Sequence, residues 1–428
     1  MTQLPDVFIQ QTRQLMGTER FERYLQSFEE EPPVSIRLNP RKTADGQWTV
    51  EDAEPVAWCR HAYYLKRRPN FTMDPLLHAG CYYVQEAASM FLDEVLRQLS
   101  TSNVQRSMFN VQRSTFNVQR STSNALDLCA APGGKSTLLR AALPESCVLY
   151  SNEPVGNRAS ILLENVTKWG YPNHRVTNLY PKAYRQAKAS FDLILCDVPC
   201  SGEGMFRKDP ATIREWSPQQ VQKCSQLQRT IVADAWACLK DGGLLIYSTC
   251  TFNTLENEEN IRWMLSAYDD AEVVAIDTRP EWHITGSLLQ GFDEPVYRFI
   301  PGITRGEGLF MCVLRKRAAG EEPGENSQTG NKRFPNWEHR IPLLGIKDEA
   351  TAGVSVELNY QQAIAYLRRE ALVLPPETPR GLVSVTFQGF PLGMVKNIGS
   401  RANNLYPKEW KIKTTHISTE YEAILRHT

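Results

Sequence analysis

The chain holds 10 cysteines but no Cys-x-x-Cys pair, and only 7 histidines in 428 residues. Without such spacing a zinc knuckle is excluded, and scattered free thiols point to a reducing compartment rather than a disulfide framework. Net charge is absent too, because 48 Lys plus Arg balance 48 Asp plus Glu. Nothing global draws the chain to nucleic acid or to a membrane surface, so any polyanion contact must come from a local patch. No run of about 18 apolar residues is present to span a bilayer. The opening MTQLPDVFIQQTRQL lacks both the basic and the apolar segments of a secretory signal. A cytoplasmic, monomeric protein with no membrane contact and no metal site is expected. The length predicts two or three domains.

A low-complexity stretch at 99–124 repeats Asn-Val-Gln-Arg-Ser three times with a period of seven. A coiled coil is rejected, since each period offers one Val and at most one Phe and one Met, with polar residues between them. The stretch reads as a surface insert between a helix at 82–98 and a strand at 126. From 125 the pattern alternates: ALDLCAA, CVLYSNE, HRVTN, FDLILCD and GGLLIYST are strand-like, separated by helical stretches at 135–143, 156–169 and 218–239. AEVVAI and LFMCVLRK extend the set. Such alternation predicts an α/β fold, a parallel sheet covered by helices on both faces, with ligands at the carboxyl ends of its strands. Residues 317–340, opening RAAGEEPGENSQTGNK, read as a linker. Beyond it, 341–428 forms a small domain with a helix at 358–370 and strands GLVSVTF and PLGMVKNI. The first 98 residues combine a helix over 7–25 with short strands such as VSIRLN.

Chemistry gathers in three elements. In LDLCAAPGGKS, a strand breaks into Cys129, Ala130, Ala131, Pro132, Gly133, Gly134 and Lys135. Cys129 stands where a P-loop needs its first glycine, Pro132 removes a backbone donor, and GxGxxG is absent. What remains is a glycine turn and a helix start offering free N–H groups to a ligand. Glu153 ends the next strand, placed to accept from ribose hydroxyls. Asp197 is delivered by the strand FDLILCD and is followed by Cys200 in PCSGEG; Cys196 reads as core. Cys250 ends GGLLIYSTC, ahead of a helix expected to be capped at Asn253 with Glu256 three residues on. A helix N-terminus favours thiolate, whereas Glu256, Glu258 and Glu259 oppose it. On these residues alone, reactive and structural readings of Cys250 both stand.

With CAAPGGK, Asn152-Glu153, DVPCSGEGMFRK, YSTCTFNTLENE and YRFIPGITRGEG together, the chain resembles the NOL1/NOP2/Sun family of RNA 5-methylcytosine methyltransferases. AGCYYVQEAASM upstream and GMVKNIGSRANNLYPKEW downstream extend the likeness to its bacterial 16S ribosomal RNA branch. The resemblance implies a Rossmann-like class I methyltransferase sheet over 125–316. An α+β RNA-binding domain over 1–98 and a C-terminal α+β or β-barrel, PUA-like RNA-binding domain over 341–428 flank it. It implies S-adenosylmethionine as cofactor, held by Cys129 to Lys135, Glu153, Arg158 and Asp197. Cys250 is implied to add to cytosine C6, with Asp197 at the N3/N4 edge and Cys200 assisting release. The base must be unstacked to be reached. Two departures stand out: Leu179 and Tyr180 occupy a position acidic in relatives, and Pro301-Gly302 replaces Pro-His. For the RNA partner, 16S ribosomal RNA or the small subunit, candidate contacts are Arg207 and Lys208 beside the Cys200 loop. A further set is Lys396, Arg401 and Tyr406 with Lys408, Trp410, Lys411 and Lys413, and Lys66-Arg67-Arg68 adds another. A noncatalytic ribosome-assembly factor and a transfer-RNA methyltransferase are the alternatives.

Overall fold

In the computed structural model, residues 4–43, 48–101, 123–188, 190–318, 343–344, 353–414 and 416–427 are described. The Asn-Val-Gln-Arg-Ser repeats and nearly all of the expected linker lie outside these residues.

The central sheet runs Ala271–Val273, Leu309–Lys316, Leu239–Thr249, Phe191–Asp197, Asn124–Asp127, Val148–Asn152, His174–Thr177, Leu343–Leu344, with Tyr297–Phe299 also paired to Leu309–Lys316. Five consecutive strands of that order, from Leu239–Thr249 to His174–Thr177, are parallel. Strand order reverses between Asn124–Asp127 and Phe191–Asp197, so a crevice opens where their carboxyl ends diverge. Helices Gly134–Ala142, Gly156–Trp169 and Pro218–Cys238 lie between strands as the periodicity predicts. The sheet is buried on both faces: Leu193 and Leu195 enter one apolar cluster, Ile194 and Cys196 the other.

Two expected helices differ. The 82–98 stretch begins as a strand, Tyr82–Val84, and turns helical only at Ala88, where a 3-10 turn, Ala88–Met90, leads into the α-helix Phe91–Thr101. Tyr82, Tyr83 and Val84 are aromatic or β-branched and pair with Leu38, Arg37 and Ile36, so strand pairing overrides the helical spacing. The 7–25 helix is broken at Gly17, whose φ of 76° stops Asp6–Met16 before Thr18–Gln26 begins.

A four-stranded sheet holds the N-terminal strands Val34–Leu38, Ala53–Pro55, Ala62–Leu65 and Tyr82–Val84. It meets the central sheet through Arg37, whose buried guanidinium donates to Gln85 Oε1 at 2.9 Å, Thr137 Oγ1 at 2.7 Å and the Gly134 carbonyl at 3.2 Å. That charge lies over the Trp169 ring at 4.6 Å, and burial lowers its pKa to about 10. The glycine turn is thereby fastened to the N-terminal sheet. C-terminal strands Gly381–Phe387, Phe390–Asn397 and Ala402–Asn404 form a further sheet, with Ser355–Glu357 at its edge.

Candidate active site

Three of the ten cysteines are half-buried, and they are Cys129, Cys200 and Cys250; the other seven are buried. Apolar burial explains those seven, as it does for most free cysteines. Cys129, Cys200 and Cys250 each follow the carboxyl end of a neighbouring strand, Asn124–Asp127, Phe191–Asp197 and Leu239–Thr249. Cys200 and Cys250 Sγ lie 3.2 Å apart. The hydrogen bond to Cys250 and burial push the Cys200 thiol well up, with the charges of Cys250 and Glu256 acting in the same direction. Cys200 therefore keeps its proton and is the donor when Cys250 carries charge.

Asp197 stands beside this pair. Its Oδ1 accepts from Ser248 Oγ at 2.7 Å, and its Oδ2 from Lys135 Nζ at 2.8 Å. Burial works against the Lys135 ammonium, but Asp197 outweighs it, with Cys250 and Asp127 adding, so its pKa is raised. Lys135 is thus turned toward Asp197, with the Cys250 charge adding to its stabilisation, which ties the glycine turn to the strand end that carries the thiols.

The expected cofactor side draws on the first two parallel strands, Asn124–Asp127 and Val148–Asn152. Gly133 has φ 117°, and a side chain there would meet Leu162 at 3.3 Å, so the turn needs glycine. The Glu153 side chain is 2% exposed. It accepts from the Val155 N–H at 3.0 Å and faces Arg158 at 3.5 Å, while Arg158 donates to the Ala131 carbonyl at 3.1 Å. Sequence reasoning passed over Asp127 at the tip of the first strand. It is buried, accepts from Ser136, and leaves Oδ1 with no partner; burial above all raises its pKa to about 7. An orphaned carboxyl oxygen, a glycine turn and a ribose-side carboxylate fit an adenosyl cofactor bearing a cationic methyl group. At the stretch where the resemblance leads one to expect an acid, Asn178 Nδ2 donates to the Glu153 carbonyl at 2.6 Å, Leu179 N–H to Asn152 Oδ1 at 3.0 Å, and Tyr180 is 76% exposed.

The glutamates after Cys250 are placed differently from the sequence expectation, although the Glu256 charge still disfavours thiolate at Cys200. The helix starts at Glu258, not at Asn253, because Asn257 has φ −109° and ψ −104°. Asn253 caps a turn instead, accepting from the Glu256 N–H at 2.9 Å. Glu258 is neutralised by a buried ion pair with Arg298, and Glu259 pairs with Arg262 at 3.0 Å on the surface. Glu256 is buried, and desolvation raises its pKa.

Two expected RNA contacts are corrected. The Arg207 side chain is 6% exposed and pairs with Glu307 at 3.1 Å, so its charge is spent inside the protein. Tyr406 is 2% exposed and packs edge-on to Tyr366 and Trp410, which leaves no face for a base. Lys208, Lys396 and Arg401 are exposed. Of the third group, Lys66 pairs with Asp52 at 2.9 Å and Arg67 with Glu422 at 2.5 Å. A cleft of about 460 Å³ collects Arg401, Lys408 and Lys411 with Arg368 and Arg369, two cations the sequence reading missed. Arg368 pairs with Glu370 at 2.7 Å. The other four have no ion pair among the described residues.

Residues 4–87 match the N-terminal domain of 16S rRNA methyltransferase RsmF, 114–315 match 16S rRNA methyltransferase RsmB/F, and 354–412 match the methyltransferase RsmF PUA domain. Ribosomal RNA small subunit methyltransferase F of Escherichia coli O17:K52:H18 is 28% identical over 490 aligned positions, covering 95% of this chain and 96% of that protein. Among solved structures, a methyltransferase homologue from Pyrococcus horikoshii shares the fold with TM-score 0.57 and 24% identity, over 73% of this chain and 95% of that one. NSun6 from the same organism, solved with SFG, gives TM-score 0.55 at 17% identity, over 74% and 99%. With a Rossmann-like methyltransferase sheet between an RsmF-type N-terminal domain and a PUA domain, the chain belongs to the RsmB/F methyltransferase family.

Proposed function

We propose that this protein methylates C5 of a cytosine in 16S ribosomal RNA, using S-adenosylmethionine and a transient covalent bond between Cys250 and C6 of the base. The observation that carries the reading is the pair of thiols 3.2 Å apart beside Asp197, at the carboxyl end of the sheet. Family membership and the name of the Escherichia coli relative support ribosomal RNA as substrate. S-adenosylmethionine, when bound, supplies an electrophilic methyl group; the rest is done by side chains of this chain.

Cytosine C5 is a weak nucleophile until C6 is attacked. Thiolate addition from Cys250 forms the Sγ–C6 bond and shifts electron density to C5, which then takes the methyl group. A thiolate at Cys250 meets the S–H donor of Cys200 and the positive field of Lys135, so activation does not depend on the helix behind it. Asp197, held on both oxygens by Ser248 and Lys135, keeps a fixed direction and offers a remaining lone pair to the N3/N4 edge. Once bound to C6, Cys250 carries no charge to hold the Cys200 proton, so Cys200 can act as a thiolate: it takes the C5 proton, the C5–H electron pair reforms the C5–C6 double bond, and Sγ leaves C6 as the Cys250 thiolate. The cofactor-binding roles of Cys129 to Lys135, Glu153 and Arg158 belong to this same reading, as does division of the chain into functional domains near residues 98, 125, 316 and 341. Contact with the RNA backbone falls to Lys208, Lys396, Arg401, Lys408 and Lys411.

Replacement of Cys250 by Ala abolishes methyl transfer, and Cys200→Ala leaves a protein–RNA adduct stable in denaturing gels. Bisulfite sequencing of ribosomal RNA from cells with and without the protein locates the modified base. Normal turnover by the Cys250 variant would falsify the nucleophile assignment.

A further inference from the structure

Each cysteine loop sends one buried carboxylate into the other. From the first loop, Glu203 is 2% exposed and accepts from the backbone N–H groups of Phe252 at 2.6 Å and Asn253 at 2.9 Å. Its other oxygen takes Asn253 Nδ2 and Trp216 Nε1, each at 3.0 Å. From the second loop, Glu256 is fully buried and accepts from the backbone N–H of Ser201 at 3.0 Å, Gln228 Nε2 at 2.7 Å and Asn253 Nδ2 at 2.8 Å. The Asn253 amide lies between the two carboxylates and donates to both. Two shorter ties complete the junction: Gly204 N–H to the Cys250 carbonyl at 2.6 Å, and Ser201 Oγ to Thr251 Oγ1 at 3.1 Å.

Hydrogen bonds to a desolvated carboxylate are stronger than neutral ones, and Glu203 takes up four donors. An amide could not replace it, because its NH2 would face donors rather than acceptors. Neither carboxylate hydrogen-bonds a sulfur. What they set is the distance between the loops, and therefore between the thiols. A reaction in which one sulfur must leave carbon as the other assists proton loss is sensitive to that distance, since about 1 Å of misplacement can cost a hundredfold in rate.

We infer that Glu203 and Glu256 are positioning residues, a reciprocal pair of staples that holds Cys200 and Cys250 at the separation needed for release of the methylated base. This role rests on the two-thiol reaction proposed above. It separates their task from that of Asp197 and Lys135, which stand on the cofactor side of the thiols.

Full-length Glu203→Gln and Glu256→Gln, with Glu203→Ala as a second variant, test it in two ways after circular dichroism has established which are folded. Phenylarsine oxide bridges two neighbouring thiols and needs no RNA. The wild type should bind it through Cys200 and Cys250, with loss in Cys200→Ser or Cys250→Ser, and the folded glutamate variants should bind about ten-fold more weakly or worse. With RNA, the variants should keep KM within about two-fold while kcat falls about ten-fold or more, and adduct should accumulate in denaturing gels. Arsenical binding equal to wild type in folded variants, or a kcat loss matched by a loss of folded protein, would overturn the role. Normal turnover by Cys250→Ala sinks the two-thiol reaction itself, whereas unchanged bridging beside an inactive Cys250→Ala sinks only the staples.

Discussion

Asp127 shows how burial and chemistry interact at a single residue. A carboxyl group in an unfolded chain titrates near about 3.9, whereas burial lifts this one to about 7. The folded state binds the extra proton, so this group's contribution to stability is complete below about pH 4 and is lost as pH rises through about 7. Asp127→Asn removes that titration while keeping an acceptor for Ser136. The variant should therefore lose less thermal stability than wild type between pH 5 and pH 8; identical slopes of Tm against pH would refute the assignment. Cysteines teach the complementary lesson. All ten are visible in the sequence, and the strand-end positions of Cys200 and Cys250 are legible there, but only their 3.2 Å separation makes them a pair. Arg207 and Tyr406 were misread for one reason: a charge or a ring has no orientation in a sequence, and both turn inward.

Loops, rather than strands or helices, carry the site at the scale of elements, and they meet with almost no space between them. A Cβ on Gly204 would fall on the Cys250 carbonyl oxygen and within 2.8 Å of the Gly308 Cα; one on Gly308 would come within 2.8 Å of the Phe252 ring. The late Gly306-Glu307-Gly308 turn thus packs against both cysteine loops. Gly204→Ala must push backbone against backbone, an overpacking that typically costs about 1–3 kcal/mol. Urea denaturation should show a lower midpoint at unchanged m, and methyl transfer should fall with it; wild-type stability and activity would exclude the close packing. Most parallel strands and their helices were legible from apolar runs and 3.6-residue spacing. Tyr82–Val84 was not, because its partners Ile36–Leu38 lie more than forty residues upstream. Nor was the late start of the helix at Glu258, since the Asn253–Glu256 pattern is satisfied equally by the turn it caps.

Across the whole molecule, the terminal regions share one core. Ile36, Leu76 and Tyr82 from the N-terminal part cluster with Ile364, Tyr366, Val383 and Val395 of the C-terminal sheet. The strand Leu425–His427 pairs with Trp48–Val50. Among the described residues no helix is long and apolar enough to cross a membrane. Charge is balanced globally yet concentrated locally, in the cleft of Arg369, Arg401, Lys408 and Lys411. If that cleft holds RNA phosphates, replacing all four by Gln should make the slope of log affinity against log salt shallower by about 3, from about 0.7–0.9 per phosphate contact. Filter binding across a salt series measures this, and an unchanged slope would place the RNA elsewhere.

The sequence by itself determined the α/β alternation, the glycine turn at Gly133-Gly134, and the placing of Glu153, Asp197, Cys200 and Cys250 at strand ends, because these follow from local patterning: apolar runs of strand length, helical spacing between them and turn residues after them. Only the tertiary structure decided that the two thiols meet, that Lys135 faces Asp197, that Glu203 and Glu256 cross between loops, and which basic side chains have no ion pair among the described residues. Those outcomes depend on contacts between residues tens to hundreds of positions apart, made when strand pairing and core packing bring their loops to one end of the sheet.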